Sequence, residues 1–113
     1  MDQKICLDTD ICIEIIKGNP QLRDKLLNFS SLPLCISAIS AYELFLREFN
    51  IDKIESFVLD TDVIPFDEAI AKKASDIFKS LRNAENLLEF RDVFIAATCI
   101  LNKCSLLTLN KKH

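Results

Sequence analysis

Glycine is nearly absent from this chain of 113 residues: there is one, alongside three prolines. Long irregular loops draw heavily on those two residue types, so their scarcity excludes a loop-dominated fold and predicts that helix dominates. Histidine occurs once, as the last residue, which leaves a zinc site almost no ligands to use. Long apolar runs are missing as well. The longest strongly apolar stretch, Val93 to Leu101, has nine residues and contains Thr98. A membrane span needs about 18 such residues, so no membrane association is expected. Acids interrupt the N-terminal segment by Asp8, which is not the pattern of a secretory leader. Excess positive charge is lacking too. With a net charge of −3 the chain is no general nucleic-acid binder, and any such contact needs a local basic patch or a metal ion to offset the carboxylates. Paired cysteines are the last absence. Five cysteines, at positions 6, 12, 35, 99 and 104, form no CxxC and have apolar neighbours. They read as reduced, mostly buried thiols of a cytoplasmic protein.

What is present is a core. Half of the residues are apolar, 50%, which suits one well-folded domain over residues 1–113. Ile5-Cys6-Leu7 reads as a short buried strand. Ile11, Ile15 and Ile16 then recur at helical spacing, which places a helix from a cap at Thr9 or Asp10 to about Gly18. Asn19-Pro20 restarts a helix, with Leu22, Leu26, Leu27 and Phe29 on one face. Leu34-Cys35-Ile36 is a second strand, and Ser40 opens a helix to about Phe49. Asp52 opens a shorter one to Leu59, before a third strand at Val63-Ile64. Asp67 caps a long amphipathic helix to about Asn83, with Ala69, Ile70, Ala74, Ile77, Phe78 and Leu81 inward. Asp92 to Leu101 is apolar nearly all round and is expected to be central, and Leu106-Leu107-Thr108 is a fourth strand. Short strands alternating with helices predict a three-layer α/β/α domain around a mostly parallel sheet.

In such a sheet ligands bind beyond the carboxyl ends of the strands. Asp8 falls just past the first strand, Glu43 about a turn into the helix after the second, and Asp92 at the start of the last helix. Asn110 falls just past the last strand. Three carboxylates and an amide can therefore meet at one edge. Crowded carboxylates repel unless one is protonated or a divalent cation neutralises them, and hard oxygen ligands select Mg²⁺ or Mn²⁺. Such an ion suits phosphodiester hydrolysis. Each residue also has a purely structural reading. Asp8, Asp10 and Asp92 stand where helix caps stand. Ser40-Ala41-Tyr42-Glu43 fits a capping box, and Asn110 suits a turn. For Asp10 the cap is the favoured reading, and for Asp8 the cap and the metal stand even.

Taken together, four segments resemble the PIN-domain ribonucleases, and within them the VapC-type toxins of prokaryotic toxin–antitoxin pairs. Ile5-Cys6-Leu7-Asp8-Thr9-Asp10 is similar to the family's opening hydrophobic-D-T-N/D, and Ser37 through Leu44, SAISAYEL, to its S-x-x-x-x-x-E-L segment. Asp92 through Thr98, DVFIAAT, is close to its D-x-x-I-A-A, and Thr108 through His113 to its closing T-x-N-x-x-(D/E/H)-F. The resemblance implies that Asp8, Glu43 and Asp92 are the catalytic acids that hold Mg²⁺ or Mn²⁺, with Thr9 and Asn110 supporting them. It also implies an RNA substrate, an antitoxin that inserts into the active groove, and a homodimer paired through the early helices. Exposed apolar residues between Asn19 and Phe29 would suit that dimer surface. Position 110 holds Asn where many members have a fourth acid, so the site is one charge short and a single ion is the expected resting state. Lys17, Arg47, Arg91, Lys103, Lys111 and Lys112 lie near these segments, with Arg91 and Lys111 the candidates for RNA phosphate contacts. Tyr42 and Phe45 are expected to pack on a helix face rather than stack on a base.

Two rival readings remain. Leu7-Asp8-Thr9-Asp10 also matches the hydrophobic-D-x-D opening of haloacid-dehalogenase-type phosphatases, with Asp8 as nucleophile and Asp10 as general acid. That fold needs a later Lys and a paired-acid motif after a strand, which the stretches around Val63 and Leu106 do not supply. The other rival is a catalytically degenerate binding module, motivated by Asn110 and by a chain that stops at His113, where relatives usually continue.

Overall fold

The computed structural model describes residues 3–27, 32–82 and 89–109. In chain order the elements are β1 (Lys4–Leu7), α1 (Thr9–Lys17), α2 (Pro20–Leu27), β2 (Leu34–Ser37) and α3 (Ala38–Phe45), followed by α4 (Ile51–Asp60), β3 (Asp62–Ile64), α5 (Glu68–Leu81), α6 (Phe90–Leu101) and β4 (Cys104–Leu107). The four strands form one sheet in the order β3-β2-β1-β4, and every neighbouring pair is parallel. Among the described residues no helix is long and apolar enough to cross a membrane.

Strand alternation sorts the core into two layers. Ile5, Leu7 and Ile36 point to one face, where Ile11 and Cys12 of α1, Leu22 of α2, Ala41 and Leu44 of α3 and Ile54 of α4 cover them. Cys6, Cys35 and Ile64 point to the other, under Ile70 and Ala74 of α5 and Val93, Ile95, Ala97 and Cys99 of α6. Both faces are buried, so the strands read as unbroken apolar runs. Each fully buried large side chain, such as Leu7, Ile11, Ile36 or Leu44, contributes about 1.5–3 kcal/mol through burial. The described cysteines are all free thiols, four of them buried.

Local chemistry explains most boundaries. Gly18 closes α1 at φ 84°, a left-handed cap that costs glycine little. Asn19 Oδ1 accepts from the N–H groups of Gln21 and Leu22 and so caps α2, with Pro20 at its first position. Asp67 Oδ1 accepts from Ile70 N–H at 2.9 Å and caps α5.

Several expectations need correction. Ser37, not Ser40, opens α3, because its hydroxyl accepts from Ser40 N–H at 3.0 Å. Ser40 is thus a buried residue inside the first turn, and Ser40 to Glu43 is no capping box. The helix also stops at Phe45, and a separate helix begins after Asn50, whose backbone is left-handed at φ 58°. On α5, Ala69 and Leu81 face solvent. α6 belongs to an outer layer, since Phe90, Ile100 and Leu101 are exposed and only the Val93–Cys99 face is covered. Tyr42 and Phe45 are 61% and 54% exposed rather than packed. On α2, Leu22 is buried and Leu26 packs against the core, so these two side chains form no exposed apolar surface. Phe29 lies outside the described residues.

Candidate functional site

The strand order reverses once. From β1 the chain steps outward through β2 to β3, then crosses back to place β4 on the other side of β1. The crevice of a parallel sheet opens at such a reversal, beyond the carboxyl ends of the two strands that flank it. Those ends are Leu7 and Leu107, which pair with each other, and the next residues are Asp8 and Thr108. Asp8 N–H donates to Leu107 O at 2.9 Å, which carries the ladder one residue past β1 and fixes the Asp8 backbone.

Asp8 is 9% exposed, and both of its oxygens are engaged. Oδ1 accepts from Thr9 N–H at 2.7 Å, and Oδ2 accepts from the Thr108 hydroxyl at 3.0 Å. Asp8 is therefore the N-cap of α1, where the helix dipole favours a carboxylate. The helix cap expected at Asp10 is therefore Asp8 instead. Asp10 Oδ1 accepts from Ile11 N–H at 2.6 Å, while Oδ2 accepts from Leu109 N–H at 3.2 Å and lies 3.2 Å from the Thr108 hydroxyl, whose one proton the two carboxylates share. Asp10 ties the segment after β4 to the start of α1. Asp10 is thus committed to its own helix and to that segment, so the general-acid role of the phosphatase reading has no support here.

Glu43 reaches the same place from the second turn of α3. Its Oε1 lies 2.5 Å from Thr9 Oγ1, which has one proton and donates it to the carboxylate. The Thr9 oxygen is also 3.0 Å from Ser40 Oγ. Asp92 sits in the first turn of α6, behind the N-cap Glu89, and is the most open of the three acids, with 62% of its side chain exposed.

Arg91 joins them. Its Nε and Nη2 grip Glu43 as a fork, at 2.6 Å to Oε2 and 2.9 Å to Oε1. Nη2 is also 3.0 Å from Asp8 Oδ1 and 3.3 Å from Thr9 Oγ1, and Nη1 is 2.9 Å from Asp92 Oδ1. The guanidinium beside Glu43, helped by the Thr9 hydroxyl and opposed by burial, holds the Glu43 carboxyl below its usual range. The same contacts, Glu43 first, push the Arg91 pKa further up. A cleft of about 230 Å³ opens beside this cluster, lined by Asp8, Arg91, Asp92, Ile95, Ala96, Leu106 and Thr108.

Asp8, Thr9, Glu43, Asp92 and Arg91 therefore meet at one edge, from segments far apart in the chain. Asn110, Lys111 and Lys112 lie outside the described residues. Lys17 and Lys103 do not join the cluster. Lys17 ends α1, where it pairs with Glu14 at 3.8 Å, and Lys103 precedes β4 at the opposite edge of the sheet. Arg47 follows the far end of α3. The contacts missed in the sequence are those of Ser40, Thr108 and Arg91. Only Arg91 gave a signal, as a cation next to an acid.

The donor set is hard oxygen, which suits a divalent ion, and the three acids converge on one cationic group, as they would on such an ion. Among the described residues, however, no three His, Cys, Asp or Glu side chains are arranged to hold a metal ion directly. The acids are spread around a guanidinium, and Mg²⁺ commonly takes one or two carboxylates and keeps its waters.

Comparison with known proteins agrees with this picture. A family model described as PIN domain matches residues 5–113. The chain is 31% identical over 112 residues to Ribonuclease VapC10 of Mycobacterium tuberculosis, covering 96% of this chain and 84% of the relative. It is 35% identical over 81 residues to the tRNA(fMet)-specific endonuclease VapC of Shigella flexneri, covering 66% and 61%. Its fold is similar to that in the crystal structure of DNA-bound VapBC from Salmonella typhimurium, with a TM-score of 0.78 and 24% identity over 94% of this chain and 86% of that one.

Proposed function

The chain belongs to the PIN domain family, and on that premise we propose that it is a metal-dependent endoribonuclease, the toxin of a toxin–antitoxin pair. The observation that carries the proposal is the convergence of Asp8, Glu43 and Asp92 on a single cationic group at the strand-order reversal. Asp8, Glu43 and Asp92 would hold Mg²⁺ or Mn²⁺, with Thr9 supporting them and Asn110 beyond. A bound ion of this kind supplies an acidified water and neutralises charge on the phosphate. The chain's own residues do the rest. Asp8 and Asp92 line the cleft, so a phosphodiester entering it meets their carboxylates. Glu43 stands behind them, oriented by Thr9, and sets the charge of the cluster without lining the cleft. Ile95, Ala96 and Leu106 give the cleft an apolar wall. Arg91 and Lys111 are the proposed phosphate contacts.

Similarity to VapC proteins, and to structures described as toxin–antitoxin or VapBC complexes, supports an antitoxin partner. A homodimer and a cytoplasmic location complete the proposal. The exposed residues Tyr42, Phe45 and Leu46 on and after α3 are now better candidates for a partner surface than α2. The test is cleavage of a tRNA or total-RNA preparation by the double variant Asp8→Ala, Asp92→Ala. It should melt as a folded protein and cut no RNA. Undiminished cleavage would reject the proposal, and a folded wild type that cuts nothing would favour the binding-module reading.

A further inference from the structure

Arg91 stands at the centre of the acid cluster, where it is bound to the acids and not to the phosphate it is proposed to contact. All five of its polar contacts to side chains within this cluster go to Asp8, Thr9, Glu43 and Asp92. Nη2 alone takes Asp8 Oδ1 and Glu43 Oε1, at 3.0 and 2.9 Å. A divalent ion held by Asp8 and Glu43 would need the same two oxygens that this nitrogen now occupies. The two cations exclude each other.

We infer that Arg91 is a built-in competitor for the divalent ion. With the arm in, the cluster is closed and one of its three negative charges is offset. With the arm out, the cluster is open to metal. The inference rests on the metal-dependent reading of the site. Three features of the chain allow the exchange. The arm is 31% exposed, so it is not locked by packing. It leaves α6 one residue before Asp92 and beside the cleft it helps to line, so rotation of its own side-chain bonds can release it without backbone movement. The released guanidinium is then free for an RNA phosphate, which it is not while Glu43 holds it as a fork. Affinity for the ion is reduced by the fraction of molecules with the arm out, so a cluster open one time in ten binds the metal about tenfold more weakly than its oxygens allow.

The experiment is Mn²⁺ titration, by calorimetry or by the electron paramagnetic resonance of free Mn²⁺, into chelator-stripped wild type, Arg91→Met, Arg91→Lys and Asp92→Asn. Arg91→Met should bind at least about tenfold more tightly than wild type, and Arg91→Lys, with a single ammonium, should fall between. In the wild type, the Arg91 Nε–H nitrogen resonance, identified by its loss in Arg91→Lys, should move toward that of a free arginine as Mg²⁺ is added. The shift is read on the wild type, and the variant serves only to assign the resonance. If wild type binds Mn²⁺ and Asp92→Asn weakens it, but Arg91→Met binds equally or less tightly, the inference falls and the metal site stands. An unmoved Arg91 resonance at saturating Mg²⁺ has the same meaning. If neither wild type nor Arg91→Met binds, the metal reading falls and the inference falls with it.

Discussion

Thr9→Val changes the side chain least and tests the site most locally. Valine has nearly the shape of threonine, and Thr9 is the first residue of α1, where backbone demands are mild. The hydroxyl donates to Glu43 Oε1 at 2.5 Å and lies 3.0 Å from Ser40 Oγ. A hydrogen bond to a charged group is worth about 1.5–3 kcal/mol. Glu43 keeps its two bonds from Arg91, so the carboxylate is not orphaned and the lower end of that range applies. Ser40 is 1% exposed and loses the neighbour of its hydroxyl, which adds a fraction of the cost of a buried unpaired group. The sum is about 2 kcal/mol, or about 8 °C in melting temperature for a domain of this size. The assay is thermal melting in chelator, with Thr9→Ser as the rescue and Glu43→Gln as the second corner of a double-mutant cycle. Thr9→Ser should recover most of the loss, and Thr9→Val should cost about half as much once Glu43 is already Gln, whose neutral amide oxygen accepts a weaker bond. A Thr9→Val melting point within about 2 °C of wild type would refute the reasoning that this hydroxyl anchors Glu43.

Leu44 is fully buried between α3 and the sheet, so Leu44→Ala should destabilise by about 2–5 kcal/mol, read in urea unfolding. Glu43 is depressed below its ordinary value of 4.5, chiefly by Arg91 and then by Thr9. Its stabilising effect in the metal-free protein is therefore complete above that value. It is lost as pH falls through the folded pKa, because the unfolded state takes up the proton first. The acid limb of the stability profile should accordingly flatten in Glu43→Gln, and an unchanged limb would contradict the contact.

Much of this was legible in the sequence, for identifiable reasons. Ile5-Cys6-Leu7 and Leu34-Cys35-Ile36 showed as strands because both faces of a parallel sheet are buried, and Asn19-Pro20 and Asp67 showed as helix starts because caps are local chemistry. The acids at positions 8, 43 and 92 could be placed at one edge because parallel strands put their carboxyl ends on the same side. What was not legible depends on tertiary contact. Ser37 and Ser40 are equivalent as local caps, and only the approach of α1 shows that Ser40 faces Thr9. Asp8 both caps a helix and faces the cleft, roles that sequence reasoning divided between two residues. Helical periodicity assigned Ala69 and Leu81 to the core although no element among the described residues covers them, and it could not show that Tyr42 and Phe45 stay exposed. The grip of Arg91 on Glu43 spans 48 positions and has no local signature.

The central claim is that this cluster cuts RNA through a divalent ion, and the most direct test is cleavage by chelator-stripped protein as Mg²⁺ is restored. The account predicts no cleavage in chelator and recovery on adding Mg²⁺. It predicts fragments free of 2′,3′-cyclic phosphate, because water and not the 2′-hydroxyl attacks phosphorus, and a loss of at least about 100-fold in folded Asp92→Asn. Cleavage that persists in chelator, or that survives undiminished in Asp92→Asn, would contradict it.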